Sequence, residues 1–257
     1  MIVDTHVYLS RWPFRRLPDD EPGALVARLR RHGVTQAWAG TFDGLFHKDV
    51  GAANARLVQD CRRHGPNLLA PFGSVNPKLP DWQEDLRRCQ EEYKMPGIRL
   101  HPNFHGYTLD DPLFAELLRM ACARGLIVQL AVQMEDDRVQ HPLMKVLPVD
   151  LAPLAKVAVG IPKLRLMLLN GIRSVNRPAL QSLLRVPGMR FEFAMLDGVG
   201  GVARLVEEVT AARVMFGSYT PFYNFESALL KMKEAGLAES VARRINEGNA
   251  REWGRRW

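Results

Sequence analysis

The chain begins MIVDTHVYL (residues 1–9), in which an apolar run leads directly into polar residues. This pattern predicts a first β-strand that ends within residues 4–8. Because side chains alternate between the two faces of a strand, His6 and Tyr8 share one face. A doubly wound dinucleotide-binding fold would place a glycine-rich turn at this point of the chain. The polar segment stands there instead and disfavours that fold.

Further strand-like runs follow at a regular spacing. Amphipathic helical segments separate them at intervals of roughly thirty residues, the size of one βα unit. Including the first, the runs begin near Ile2, Val34, Leu69, Ile98, Ile127, Leu164, Met189 and Val214. Strands that alternate with helices in this number predict a (β/α)8 TIM barrel, formed as a single domain by residues 1–257. A doubly wound open sheet is the second interpretation.

Capping residues support the helices between these strands. Asp111-Pro112 predicts a helix N-terminus, because aspartate is a good N-cap and proline suits the first helical position. Apolar residues follow at helical spacing, and Gly125 predicts the end of the helix. Shorter apolar stripes end at Gly33 and Gly65 in the same way.

The composition is that of an ordinary folded protein, with 47% hydrophobic and 25% charged residues. No stretch approaches about eighteen consecutive apolar residues, and no basic region precedes an apolar run at the N-terminus. We therefore expect no membrane span and no signal peptide. Cys61, Cys89 and Cys122 are the three cysteines, and none of them has CxxC spacing. We expect core burial for them, and a reducing, cytoplasmic location follows.

The net charge of +7 comes from arginines that are dispersed over several predicted helices. They do not alternate with aromatic residues along one element, as they would in a groove for single-stranded nucleic acid. We therefore interpret most of them as solvent-exposed helix faces and expect no nucleic-acid partner. A small anionic ligand remains compatible with the positive charge.

Polar residues gather where the predicted strands end, whereas the strand interiors are apolar. In a TIM barrel the functional residues lie at these C-terminal ends. The polar residues at the eight exits include Asp4, His6, Tyr8, Asp43, Asn76, Arg99, His101, Gln129, Asn170, Glu192, Asp197, Ser218 and Tyr219. The sequence thus predicts a site at this face of the barrel.

Six short segments together resemble the amidohydrolase-related family, the "amidohydrolase 2" branch of the amidohydrolase superfamily. They are DTHVYL (residues 4–9), PFGSVNP (71–77), GIRLHP (97–102), LDDPLF (109–114), FGSYTPF (216–222) and NA (249–250). Their order and spacing extend the resemblance over nearly the whole chain. It implies a (β/α)8 barrel that hydrolyses a small polar substrate.

The resemblance also implies a divalent metal held by His-x-His on strand 1, a His on strand 5 and an Asp on strand 8, with a helper His on strand 6. At these positions the chain has His6 and Tyr8, then Ala131, Tyr219 and Asn170. A catalytic zinc site needs about three protein ligands. One imidazole, two phenols and a methyl group do not supply them. We expect no metal, no other cofactor and no metal-dependent hydrolysis.

Metal-free catalysis is the first hypothesis for function. His6 or His101 would act as acid or base, and Tyr8 or Tyr219 would donate a hydrogen bond to a developing oxyanion. The substrate would be a small lactone or carboxylate, and an arginine would hold its carboxylate. The expected substrate-binding residues are Asp4, Tyr8, Arg99, Asn170 and Arg173.

The segment RWPFRR (residues 11–16) follows strand 1 directly. It combines cationic and aromatic side chains, which suit a lid over an anionic ligand. A loop packed on the barrel rim is the equal alternative.

A non-catalytic barrel that binds a metabolite or a partner protein is the second hypothesis for function. An enzyme should show shifted histidine pKa values and a polar pocket beside His6 or His101. A binding scaffold should instead have Tyr8 and Tyr219 packed into that space. The sequence leaves association into a homo-oligomer open.

Overall fold

Eight parallel strands, each hydrogen-bonded to the next in chain order, form the wall of a barrel. The computed structural model describes residues 1–136 and 138–254; Asp137 and residues 255–257 of the predicted domain lie outside the described residues. The strands are β1 (Ile2–Leu9), β2 (Val34–Thr41), β3 (Leu69–Ser74), β4 (Gly97–Leu100), β5 (Ile127–Ala131), β6 (Arg165–Leu169), β7 (Met189–Glu192) and β8 (Val214–Met215). Each starts within one residue of its predicted position, which confirms the fold class.

Helices follow the strands and cover the outside of the barrel. Within the described residues they are α1 (Pro22–Arg31), α2 (Asp43–Phe46), α3 (Val50–His64), α4 (Trp82–Glu91), α5 (Pro102–His105), α6 (Pro112–Ala123), α7 (Leu154–Val159), α8 (Arg177–Leu183), α9 (Gly201–Val209), α10 (Phe225–Glu234), α11 (Glu239–Arg243) and α12 (Asn249–Gly254). None of them is long and apolar enough to cross a membrane.

The barrel closes between its last and first strands. Beyond the short strand β8, the backbone N–H of Thr5 donates to the carbonyl of Phe216 at 2.9 Å. The N–H of Tyr219 donates to the carbonyl of His6, also at 2.9 Å. The end of β8 therefore lies against the end of β1, and the residues that follow the two strands meet at one mouth.

Helix α6 shows how the local sequence sets its boundaries. Asp111 Oδ1 accepts a hydrogen bond from the N–H of Leu113 at 2.9 Å, and Pro112 takes the first helical position. Gly125 follows the helix with φ +69°, a conformation that side-chain-bearing residues rarely adopt. Both predicted ends of this helix are confirmed.

The cysteines are only in part where they were expected. Cys61 and Cys89 are buried, and Cys122 is partly exposed. Burial raises the pKa of Cys61 to about 12, so its thiol stays protonated.

Arg99 of β4 fills the centre of the barrel and hydrogen-bonds to groups on three other strands. Its Nε donates to Gln129 Oε1 at 2.8 Å, and its two terminal nitrogens donate to the carbonyls of Val7 at 2.8 Å and Trp38 at 2.9 Å. A Cβ on Gly40 would lie 2.7 Å from Arg99 Nη1, so only glycine leaves room for the guanidinium. Arg99 thus connects β1, β2, β4 and β5 from the inside.

Replacement of this side chain should strongly destabilise the barrel. In Arg99→Met the buried acceptors lose their donors, and we expect a loss of roughly 3 kcal/mol or more in the free energy of unfolding. Urea denaturation followed by circular dichroism measures it. Arg173→Met, at a partly exposed arginine, is the matched control and should change stability by less than about 0.5 kcal/mol. Equal losses in the two variants would contradict this role of Arg99.

Candidate functional site

Four predicted site residues form one buried cluster at the mouth of the barrel. The imidazole of His6 stacks on the ring of Tyr219, with ring centres 4.4 Å apart and an angle of 22°. Tyr8 approaches His6 edge-on at 5.6 Å, and its Oη lies 2.7 Å from His101 Nε2. All four side chains are almost completely buried. The structure thus brings together the three residues that the sequence nominated for catalysis.

Tyr219 is held on several sides. Its Oη donates a hydrogen bond to the carbonyl of Met134, and its ring stacks on Phe222 at 4.9 Å. Its backbone has φ +58°, in the left-handed region that is unfavourable for a bulky side chain. Such a conformation persists only where the surrounding contacts dictate it. The ring of Tyr219 is therefore fixed across the interior rather than free to turn outward.

Tyr8 and His101 form a neutral hydrogen-bonded pair. Burial raises the pKa of Tyr8 to about 12, and burial is also the main reason why the pKa of His101 lies well below its usual range. The phenol therefore keeps its proton near neutral pH, and its hydroxyl donates a hydrogen bond to the unprotonated Nε2 of His101. The ring of Tyr8 also stacks on Phe42 at 4.7 Å.

His6 is neutral and has unsatisfied nitrogens. Burial lowers its pKa to about 4, even though Glu192 acts in the opposite direction. His6 Nδ1 lies 3.6 Å from Glu192 Oε1, and neither ring nitrogen has a hydrogen-bond partner among the described residues. Glu192 instead accepts hydrogen bonds from the backbone N–H groups of Asn170 and Ala194. Among the described residues, His6 is therefore the one member of the cluster whose side chain makes no hydrogen bond.

Asp4 binds Ser218, in the segment that follows β8. Its carboxyl group accepts hydrogen bonds from the N–H of His6 at 3.1 Å, the N–H of Ser218 at 3.0 Å and the hydroxyl of Ser218 at 2.5 Å. Burial outweighs these hydrogen bonds and raises the pKa of Asp4 to about 7. Asp4 therefore titrates near neutral pH inside the protein.

The residues at the implied metal positions do not fit a divalent ion. Besides His6, the positions hold the protonated phenols of Tyr8 and Tyr219, whose pKa values burial raises, and the methyl group of Ala131. The side-chain nitrogen of Asn170 donates to the carbonyl of Gln133 at 3.0 Å. Within residues 1–136 and 138–254, no three His, Cys, Asp or Glu side chains are grouped so that they could hold a metal ion.

The two arginines predicted to bind substrate lie in different parts of the barrel and make different contacts. The N–H groups of Arg99 are directed at protein acceptors inside the barrel, which does not support its expected contact with a substrate carboxylate. Arg173 lies at the rim and pairs with Asp197 at 2.6 Å. It lines a cleft of about 490 Å³ together with Gln133, Lys145 and others. Arg173 is therefore separate from the buried cluster but remains on the mouth of the barrel.

Sequence reasoning assigned no role to Glu192 or Met134. Glu192 stood among the polar strand exits, but nothing local indicated that it would face His6. Nothing in the sequence indicated a role for Met134, although its carbonyl accepts a hydrogen bond from the hydroxyl of Tyr219 and its side chain lies against Tyr8.

Next to these residues, Trp12, Phe104 and Met134 line a crevice of only about 10 Å³, room for about one water molecule. The shifted histidine pKa values, one part of the signature expected of an enzyme, thus occur together with the packed tyrosines expected of a binding scaffold.

Asp4 should make stability fall as the pH rises. Its pKa in the folded chain, about 7, exceeds its ordinary value of 3.8, so its contribution is complete below about pH 4 and is lost as the pH rises through 7. In Asp4→Asn, the free energy of unfolding at pH 8 minus that at pH 5 should exceed the wild-type difference by up to about 3 kcal/mol, at about 1.4 kcal/mol per pH unit. Urea unfolding at the two pH values measures this difference.

Asp111→Asn is the matched control for that experiment. The ion pair with Lys78 lowers the pKa of Asp111, so this carboxylate is ionised at both pH values and its loss should leave the difference unchanged. An Asp4→Asn difference equal to that of wild type would show that Asp4 does not titrate in this range.

Comparisons with known proteins agree with this architecture. The family model described as "Amidohydrolase" matches residues 3–253. A solved 2,6-dihydroxybenzoate decarboxylase in complex with 2,6-dihydroxybenzoate is 15% identical, with a TM-score of 0.72 over 99% of this chain and 98% of that chain. A 5-carboxyvanillate decarboxylase from Sphingomonas paucimobilis is 14% identical, with a TM-score of 0.74 over 99% and 98%.

A third structure, a dihydroxybenzoic acid decarboxylase from a Polaromonas species, holds manganese and the inhibitor 2-nitroresorcinol. It is 13% identical, with a TM-score of 0.74 over 99% of this chain and 96% of that chain. At these identities the likeness establishes the shared fold, and the manganese belongs to that protein. No curated protein sequence is significantly similar to this chain. Since the family model spans nearly the whole chain, this protein belongs to the amidohydrolase family.

Proposed function

We propose that this member of the amidohydrolase family works without a divalent metal and recognises a small carboxylate- or lactone-type molecule at the mouth of its barrel. Structural neighbours with the same fold carry small aromatic ligands, among them 2,6-dihydroxybenzoate. A net charge of +7 favours an anionic ligand over a cationic one. Metal independence is proposed because Tyr8, Ala131 and Tyr219 stand at positions where the resemblance implies metal ligands.

One observation carries the proposal: Tyr8 and Tyr219 stand at two positions where the resemblance implies metal ligands, and both side chains are buried. Their rings pack against His6, and their hydroxyls contact His101 and the carbonyl of Met134. A ligand therefore has to bind above this layer, among the segments at the mouth. Recognition there needs no metal.

The rim offers both room and polar groups for a small ligand. The cleft of about 490 Å³ lies within the size range of ligand pockets. Lys145 and Arg173 line it, and its two carboxylates, Glu135 and Asp136, form ion pairs with Arg15 and Arg138. The negative charges at the rim are thus balanced by nearby arginines.

Catalysis without a metal is the second candidate function, and the imidazole of His6 favours it. A buried imidazole with no hydrogen-bond partner among the described residues costs free energy, and its lowered pKa of about 4 leaves it unprotonated, as a weak base, at neutral pH. His101 and Tyr219 would then assist it as proposed from the sequence. The closed packing around His6 favours recognition over turnover, because the imidazole is completely buried and the rings of Tyr8 and Tyr219 pack against it.

Metal analysis tests the first part of the proposal. Protein expressed with zinc and manganese should purify with substoichiometric metal, because His6 is the only family ligand that remains. The triple variant Tyr8→His, Ala131→His and Tyr219→Asp should gain zinc, whereas the matched control Tyr8→Phe and Tyr219→Phe should not. Stoichiometric metal in the wild-type protein that resists a chelator would overturn metal independence.

Ligand binding and turnover test the second part. Isothermal titration with benzoate should show binding, and its uncharged isostere benzamide should bind more weakly, since the proposed recognition depends on the carboxylate. The two candidate functions are then distinguished by incubation with dihydrocoumarin, a lactone, and chromatography that detects its hydrolysis product. Hydrolysis that disappears in His6→Gln would favour the catalytic candidate. Binding of neither the acid nor the lactone would refute recognition at the mouth.

A further inference from the structure

Two segments of the mouth are joined by one ion pair. Arg15 lies in the segment after β1, and Glu135 lies in the long connection between β5 and α7. Arg15 Nη1 donates to Glu135 Oε1, although the two residues are 120 positions apart in sequence. The side chain of Glu135 is only 6% exposed, whereas that of Arg15 is 41% exposed. A partly exposed arginine thus pairs with a buried carboxylate at the mouth.

The surroundings of this pair are aromatic. The guanidinium of Arg15 lies over the ring of Phe222 at 5.4 Å, and Trp12 meets Phe222 edge-to-face at 5.0 Å. Trp12 and Glu135 both line the crevice of about 10 Å³. A carboxylate, a cation and aromatic rings therefore stand together in the part of the mouth that lies above Tyr219.

Trp12 also leaves a donor unused. Its Nε1 is buried and has no hydrogen-bond partner among the described residues. An unsatisfied buried N–H group costs free energy, which an incoming acceptor would recover. The cost marks this position as one where an additional oxygen atom would be favourable.

We propose that Glu135 occupies the carboxylate position of an aromatic acid, which binds in its place with its carboxylate on Arg15 and its ring among Trp12, Phe222 and Phe104. This inference rests on the proposed recognition of small anions at the mouth, and it names the subsite and the ligand class. Arg15 supplies charge-assisted donors, and the edge-to-face rings suit an aromatic partner. Aromatic monocarboxylates fit this combination better than aliphatic acids or neutral aromatics do.

Ligand entry then requires the connection after β5 to withdraw. The crevice is too small for a benzene ring, and Met134, Gln140, Met144 and Val146 of this connection form one of its walls. Displacement of Glu135 from Arg15 breaks the ion pair that joins the two segments. The acid and Glu135 therefore compete for the same cation.

The test compares benzoate, benzamide and acetate on wild-type protein and variants, by calorimetry and by tryptophan fluorescence. Glu135→Gln keeps the shape but removes the competing charge, so benzoate should bind roughly 3- to 10-fold more tightly. Arg15→Gln should weaken benzoate at least about tenfold and leave benzamide unchanged. Acetate should bind more weakly than benzoate to every protein, because it lacks the ring.

Glu21→Gln is the matched control, since it breaks the exposed ion pair between Arg11 and Glu21 in the same segment. It should bind benzoate as the wild type does. Unchanged affinity in Glu135→Gln, or wild-type affinity in Arg15→Gln, would overturn the subsite but leave recognition elsewhere at the mouth intact. Absence of benzoate binding in the wild type and in all variants would overturn both proposals. Thermal melts confirm that each variant is folded.

Discussion

The guanidinium of Arg99 at the centre of the barrel is the interaction on which the rest of the structure depends. It is completely buried and forms no ion pair with any residue of 1–136 or 138–254. Carbonyl oxygens of β1 and β2, the side chain of Gln129 and the face of Tyr8, 4.5 Å away, stabilise it. Because Tyr8 covers the cation, its ring is fixed and its hydroxyl reaches His101. The same contact that connects the strands thus also positions the first residue of the candidate site.

Burial keeps the four ring side chains of the candidate site uncharged. The phenols of Tyr8 and Tyr219 keep their protons, and the imidazoles of His6 and His101 remain uncharged. The rings of Tyr8 and Tyr219 pack against the imidazole of His6. In this fold, function resides in the residues at the C-terminal ends of the strands.

The segments that follow β1 and β5 lie at the mouth of the barrel. They carry arginines, carboxylates and aromatic rings. Loops on a rigid scaffold commonly provide recognition, because their exposed residues can change without loss of the fold. In this chain the mouth combines charged side chains with aromatic rings.

The sequence by itself determined the barrel, since strand starts, the Asp111 cap and the Gly125 helix end all follow from local periodicity and backbone preference. It also predicted that His6 is the one residue that keeps a metal ligand implied by the family resemblance. Only the tertiary structure decided that Arg99 donates hydrogen bonds to backbone carbonyl groups, that Trp12 of residues 11–16 is buried, and that Arg15 is joined to Glu135. The physical reason is distance along the chain. Capping and periodicity act within a few residues, whereas these contacts join groups about a hundred residues apart, and burial then sets their charge.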